Sequence, residues 1–349
     1  MADTGFHGYT AGKQKWFSAV LDCRFDTLIG CFNFLTWSRQ VLYCFSLIIA
    51  HRKLVTVAVL AVLTFWGGRT WLTELREAGS AFWLDHAGVL VLIGALQICD
   101  IFLDGVVWWG LLRAAGCRIS GFRAGLIFLA GYAGLLAPAQ LGRLVRPVEL
   151  NRMEGIPAGV GVAIEILLLA FSGVAGIVVL GASLLWPRLG ILSPFLALLI
   201  LTAVAVICRG TVLLDLFTVW RLPGLRRHPV LWAAVFVTPV GWLLNGVSLW
   251  LVSGREGAGV PLWQLIAVAP SNMVIGALSG MPGGVGAVEV WLGTLLSFLG
   301  SSAGTLVNEV LLFRLMTFWV WIPVGWVALL VLWRRADGRM PAADSEKIA

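Results

Sequence analysis

Between Ala158 and Trp186 the chain runs for 29 residues with one charged side chain, Glu165. A helix of about 20 apolar residues is enough to cross the hydrocarbon core of a bilayer. Similar apolar runs recur at Leu54–Gly67, Ala87–Leu112, 189–208, 229–252 and 304–333. A transmembrane β-barrel needs alternating segments of about ten residues instead, and these runs are too long and continuous for that. Of all 349 residues, 59% are hydrophobic and 12% charged, whereas a soluble domain is about a quarter charged. Too little charge remains to cover a soluble globule. A soluble enzyme, a disordered chain and a nucleic-acid-binding module are thereby excluded. The length allows six to eight spans and leaves no room for a soluble catalytic domain.

Two apolar segments are interrupted. Residues 121–152 carry Pro138, Gly142, Arg143 and Arg146; residues 262–300 carry Pro270 and the run Ser279-Gly-Met-Pro282-Gly283-Gly284-Val-Gly286. Proline removes a helix hydrogen bond and glycine loosens the backbone, so neither segment reads as one straight helix. Broken backbone at membrane depth must line a cavity or pack inside protein. Both segments are therefore expected to be re-entrant hairpins. The expected fold class is all-α: a polytopic membrane protein of about six to eight transmembrane helices with two opposed re-entrant hairpins.

Residues 1–50 are expected to form an interfacial segment. Phe17, Leu21, Phe25, Ile29 and Phe32 recur at helical spacing with charges between them, the pattern of an amphipathic helix on a membrane surface. A span over 28–50 is the alternative. The transmembrane domain is placed at 51–335, and 336–349 is expected to be a disordered cytoplasmic tail.

The net charge is +7. Arg113, Arg118 and Arg123 share one loop, Arg209, Arg221, Arg226 and Arg227 another, and Arg334, Arg335, Arg339 and Lys347 cluster near the end. The alternate loops are poorer in basic residues, so the positive-inside rule puts both termini in the cytoplasm. In that layout the hairpins enter from opposite faces, as in an inverted repeat. At an offset of 144, Pro138 meets Pro282, Gly142 meets Gly286, and Glu165-Ile-Leu-Leu meets Glu309-Val-Leu-Leu.

Ionisable groups inside spans are costly and point to function. Gln97, Asp100 and Asp104 share one helix face. They suit a proton-accepting site, a counter-charge for a cationic headgroup, or a structural bridge to an arginine. Glu165, Glu309 and Arg314 are also intramembrane. Glu309 and Arg314 lie five apart, so each needs its own partner; a buried Arg–Glu pair across the two repeats is the structural alternative. Arg143, Arg146 and Arg152, within ten residues and beside Glu149 and Glu154, suit a phosphate or a cluster on anionic headgroups at the membrane rim. The Gly283-Gly284-Val-Gly286 run has no preceding strand and is read as a conformational element.

The six cysteines are scattered without metal spacing and are read as reduced thiols. No cleavable signal peptide is evident. No HExxH, GxSxG or Walker loop occurs, and the four histidines fall in loops or at span ends. No catalytic residue, metal or cofactor is expected, and the chain is not read as an enzyme.

The segment Met281-Pro-Gly-Gly-Val-Gly286-Ala-Val-Glu289, followed by Leu311-Leu-Phe-Arg314-Leu-Met-Thr-Phe-Trp319, resembles the flippase-like membrane domain family. That domain precedes the synthase in lysylphosphatidylglycerol synthetases and also stands alone. Its P-G-G-[IL]-G-x-x-E and L-L-x-R-L-x-T-x-W patterns both have counterparts here. The first hairpin departs from the family's P-x-R-x-G-E-x-x-R: Gln140 replaces the first Arg and Arg143 the Glu. The family's later E-R-x-x-D is reduced to Glu165, with Ile166 and Leu169 at the other places. The resemblance covers about 54–333. It implies a flippase for a phospholipid or lipid-linked headgroup and adds Glu289 to the candidate site. Without the soluble synthase domain the chain is not expected to make such a lipid.

The expected headgroup site therefore comprises Arg143, Arg146, Asp100, Asp104, Glu165, Glu289, Glu309 and Arg314. Pro138, Gly142, Pro282, Gly283, Gly284 and Gly286 are the expected gates. Expected partners are membrane lipids: an anionic or aminoacylated phospholipid, an isoprenoid or a glycolipid. A lipid-modifying enzyme or a second copy of the chain are further candidates; nucleic acid is not. The expected location is the bacterial inner membrane. A non-transporting membrane subunit that positions a lipid-modifying or glycosyl-transferring enzyme is the alternative.

Overall fold

The computed structural model describes residues 79–210, 228–255 and 259–337. The expectations for residues 1–50, the span at 54–67, the basic loop at 211–227 and the tail beyond 337 lie outside these residues. Within them every regular element is helical. The protein is an all-helical, polytopic membrane protein: among the described residues, four helices are long and apolar enough to cross a bilayer.

The elements follow the apolar runs closely. Helix α1 covers Gly79–Ala114. The first broken segment gives α2 (Gly121–Ala130), tight turns at Gly131–Gly134 and Pro138–Leu144, and α3 (Val145–Glu154). Two apolar helices follow, α4 (Ala158–Leu189) and α5 (Leu192–Gly210). After α6 (Val230–Arg255), the second broken segment gives α7 (Leu262–Leu278), a turn at Pro282–Gly284 and α8 (Ala287–Phe298). The final apolar run is less regular than expected. It forms α9 (Ala303–Arg314), a π-helical turn at Leu315–Trp319 and α10 (Trp321–Asp337). Such turns insert one residue per helical turn and re-aim the side chains around them.

Each broken segment doubles back, so that α2 packs on α3 and α7 on α8. Glycine makes both reversals possible. A Cβ on Gly142 would collide with the carbonyl of Gly134, and a Cβ on Gly284 would lie 2.8 Å from the Cα of Gly276. In both segments the touching glycines are eight residues apart with a proline between them. These pairs correspond at an offset of 142, two residues from the alignment expected from the prolines. The turns also meet each other: a Cβ on Gly283 would lie 3.0 Å from the Leu135 oxygen.

Helices α4 and α7 pack against these turns, and α1 and α6 pack against α4 and against each other. Helix α10 covers the first turn, where a Cβ on Gly325 would strike the Tyr132–Ala133 backbone. The main core gathers Trp108, Leu111, Leu112, Ile127, Leu150, Ile164 and Leu168, all fully buried or nearly so. Large apolar side chains such as Val91 and Ile177 lie on the outside instead, as hydrocarbon contact requires.

Gly142→Ala tests the first reversal. The added methyl meets backbone, which cannot rotate away, so it should cost about 1–3 kcal/mol. Gly181, inside α4, has open space at its Cβ position, and Gly181→Ala should not lower stability and should raise it by up to about 1 kcal/mol. Thermal melting of the two variants in detergent measures the difference.

Candidate functional site

The two turns border a central cavity of about 210 Å³. Asp104 from α1 lines it. So do Tyr132, Gly142, Arg143 and Arg146 from the first broken segment, and Trp242 and Asn245 from α6. Asn272, Gly283 and Gly284 from the second segment complete the wall with Arg314 and Phe318. Of the expected gates, Gly142, Gly283 and Gly284 reach the cavity wall. Gly286 stands at the start of α8 with φ of 87°, and Pro138 and Pro282 begin the two tight turns.

Two buried Arg–Glu pairs flank the cavity. Arg146 donates from Nε to the Phe128 carbonyl at 3.0 Å and from Nη1 to Glu165 Oε2 at 3.2 Å. Its guanidinium lies 3.8 Å from the Phe128 ring centroid. Gly131 makes room for it, since a Cβ there would strike the Arg146 side chain. Glu165 also accepts from Trp108 Nε1 at 2.7 Å, and Arg143 Nη1 lies 3.9 Å from it.

On the other side Arg314 donates from Nε to Glu289 Oε1 at 2.7 Å, and from Nη2 to the Gly283 carbonyl at 3.4 Å. Its guanidinium lies 4.2 Å from the Phe318 ring centroid. Glu289 Oε2 accepts from the Gly286 N–H at 2.7 Å, capping α8. The structural alternative, an Arg–Glu pair across the repeats, is therefore not what forms. Each pair closes within its own half, because each broken segment packs against the helix that follows it. The charges are exchanged: the first segment supplies Arg146 and its following helix Glu165, while the second supplies Glu289 and its following helix Arg314.

The polar face of α1 divides. Asp104 lines the cavity, and the charges acting on it are those of Arg143, Arg146 and Glu165. Asp100 points at α6, accepting from Asn245 Nδ2 at 3.1 Å against Gly241, which leaves space for the carboxylate. Gln97 is buried with its amide 3.5 Å from both Asn245 Oδ1 and Ser248 Oγ. Glu309 does not join the group. It is fully buried away from the cavity and accepts from Ser253 at 2.8 Å, Ser301 at 3.0 Å and Thr305 at 3.1 Å. Among the described residues, hydroxyls rather than a cation are thus its separate partners.

Sequence reading missed Trp108, Tyr132, Trp242, Asn245, Asn272 and Phe318. The two asparagines were detectable by the argument that found the aspartates, since each is an amide inside an apolar stretch. The Oδ1 of Asn272 is buried without a hydrogen-bond partner. The aromatic residues carry no such signal, because most tryptophans and phenylalanines in a membrane chain face lipid or core.

Glu165→Gln keeps an acceptor for Trp108 and removes the counter-charge of Arg146. A buried charge left without its partner costs about 3–5 kcal/mol. Adding Arg146→Met removes the stranded charge and should recover part of that loss. Melting of the single and double variants decides it: a double variant less stable than the single one would contradict this account.

A family model described as the lysylphosphatidylglycerol synthase TM region matches residues 47–325. No curated protein matches the chain. The matched region includes both broken segments, both Arg–Glu pairs and every residue of the central cavity. The chain belongs to the lysylphosphatidylglycerol synthase transmembrane-region family.

Proposed function

We propose that this protein moves a phospholipid or lipid-linked headgroup between the leaflets of the bacterial inner membrane. Both chain ends are cytoplasmic in this reading, and the two broken segments are re-entrant hairpins. The observation that carries it is the central cavity, where three arginines and Asp104 meet the glycine turns of both segments. Charges in a hydrocarbon interior are costly and point to function.

The cavity suits a headgroup better than a whole lipid. Its roughly 210 Å³ is less than the 300–1,000 Å³ of pockets that enclose an entire drug-sized ligand. The tails would stay in the bilayer. Arg143 is the first contact for phosphate. Its side chain is 29% exposed and lines the cavity wall, and a guanidinium is suited to a bidentate bond to a phosphate. Arg146 and Arg314 are held by their glutamates until phosphate competes for them. Asp104 faces the same space and would hold the amine of an aminoacylated headgroup. Gly283 and Gly284, with φ of 60° and 69°, and the Gly134–Gly142 contact let the turns shift without side chains colliding.

Purified protein in liposomes tests the reading with fluorescent phosphatidylglycerol and its lysyl ester. Wild-type protein should move label between leaflets faster than empty liposomes do; equal rates would overturn the proposal. Arg143→Gln should slow both lipids by about tenfold, the loss of one charge-assisted bond of 1.4 kcal/mol. Arg143→Lys, which keeps the charge without the fork, should recover part of the rate. Asp104→Asn should slow the lysyl ester more than its parent.

A further inference from the structure

A second cavity, of about 260 Å³, lies between α4, α7 and α8, and shares Trp242 and Met273 with the central one. Its outer rim carries Ile177 and Val274, which are 72% and 50% exposed, so it opens on the apolar flank of the protein. Gly173 and Gly176 hollow its α4 wall.

The polar atoms around this pocket are already engaged. Trp242 Nε1 donates to the Ser172 carbonyl at 2.9 Å, and Trp291 Nε1 donates to Ser271 Oγ at 2.7 Å. Ser271 in turn donates to the Val268 carbonyl at 2.6 Å, and the Ser172 hydroxyl points at Met273 Sδ at 3.8 Å. What remains to meet an occupant is hydrocarbon, sulfur and indole face. An occupant that uses both cavities must be polar at one end and apolar at the other.

A larger apolar groove, of about 510 Å³ beside Phe102, Gly105 and Gly125, does not qualify. It shares no lining residue with the central cavity. Phe128 lines it, and the same ring lies under the Arg146 guanidinium.

We infer that the pocket between α4 and α7 is the lateral portal of the central cavity, taking the acyl chain of the lipid whose headgroup lies there, with Met273 as the movable leaf and Trp242 as the fixed post. Trp242 is pinned across the gap by its bond to α4. Met273 is unbranched and held at its tip by one weak O–H···S contact, and methionine adapts its shape readily. The portal rests on the flippase reading for the identity of the headgroup, but its occupant can be tested separately.

Gly173 supplies the plug, because nothing lies within 4 Å of its Cβ position. The probe is phosphatidylglycerol with a photoreactive diazirine at the end of one acyl chain, in phosphatidylcholine vesicles holding the full chain. Peptide mapping by mass spectrometry locates the label. In the wild-type protein it should fall on residues 271–275. Gly173→Trp should reduce that labelling at least about tenfold while leaving labelling around Phe102 as it was, a drop equivalent to 1.4 kcal/mol. Gly173→Leu, a smaller plug, should give an intermediate loss and covers the case in which the Trp variant does not fold. Absence of label at 271–275 in the wild type, or equal labelling in all three proteins, overturns the portal. Leaflet exchange measured on the same vesicles separates the two readings. Slow exchange in the plugged variants supports the portal, and wild-type exchange in a plugged variant overturns it. A wild type that labels but does not exchange lipid sinks the flippase reading and leaves the chain-binding pocket standing.

Discussion

A backbone that breaks inside hydrocarbon must find every hydrogen bond within the protein, and the buried Arg–Glu pairs are built around that demand. Arg146 donates a hydrogen bond from Nε to the Phe128 carbonyl in the last turn of α2. Arg314 directs Nη2 to the Gly283 carbonyl at the second break. Glu289 takes the Gly286 N–H at the start of α8. Each pair thus neutralises itself and also serves backbone groups that a continuous helix would have satisfied. The phenyl faces of Phe128 and Phe318 complete the enclosure of the two guanidinium groups. Removing Arg146 takes a donor from the α2 carbonyl as well as a charge from Glu165, and removing Glu289 takes the cap from α8 as well as the charge from Arg314.

This arrangement explains why the fold needs glycine where it does. The arginine heads have to sit beside the turns whose carbonyls they bind, so neighbouring backbone must come unusually close. Gly131 leaves room for the Arg146 side chain, Gly134 and Gly142 touch, and Gly283 sits against Phe318 and the Leu135 oxygen. A side chain at any of these points would push a guanidinium off its ring or a turn off its neighbour. Packing and electrostatics are therefore one constraint at this centre.

Much of this was legible in the sequence, and for a physical reason. Apolar runs must be helical in a bilayer, so the spans at 158–186 and 229–252 are recovered almost to the residue as Ala158–Leu189 and Val230–Arg255. Pro138 and the Pro282–Gly286 run could not continue a helix, and both breaks appear there. Pairing was not legible. Sequence spacing says that Glu309 and Arg314 face different sides, but not that three hydroxyls reach Glu309 while Glu289 comes back to Arg314. That depends on how each broken segment folds onto its neighbour. The π-helical turn at Leu315–Trp319 was hidden for a similar reason, since it involves no proline or glycine.

The charge exchange between the halves gives the cavity a direction. Its first-segment side has Arg143 in addition to the Arg146–Glu165 pair, and its second-segment side has the self-neutralised Arg314–Glu289 pair. Asp104 is the remaining acid at the wall. Three guanidinium groups and one carboxylate line the space, with Glu165 and Glu289 paired to two of the arginines behind the wall. Asp100, one helical turn from Asp104, is turned to Asn245 instead. The wall therefore sets cationic donors at one place and a single acid at another. On the flippase reading, phosphate goes to the Arg143 side, and an amine, where the headgroup carries one, goes beside Asp104.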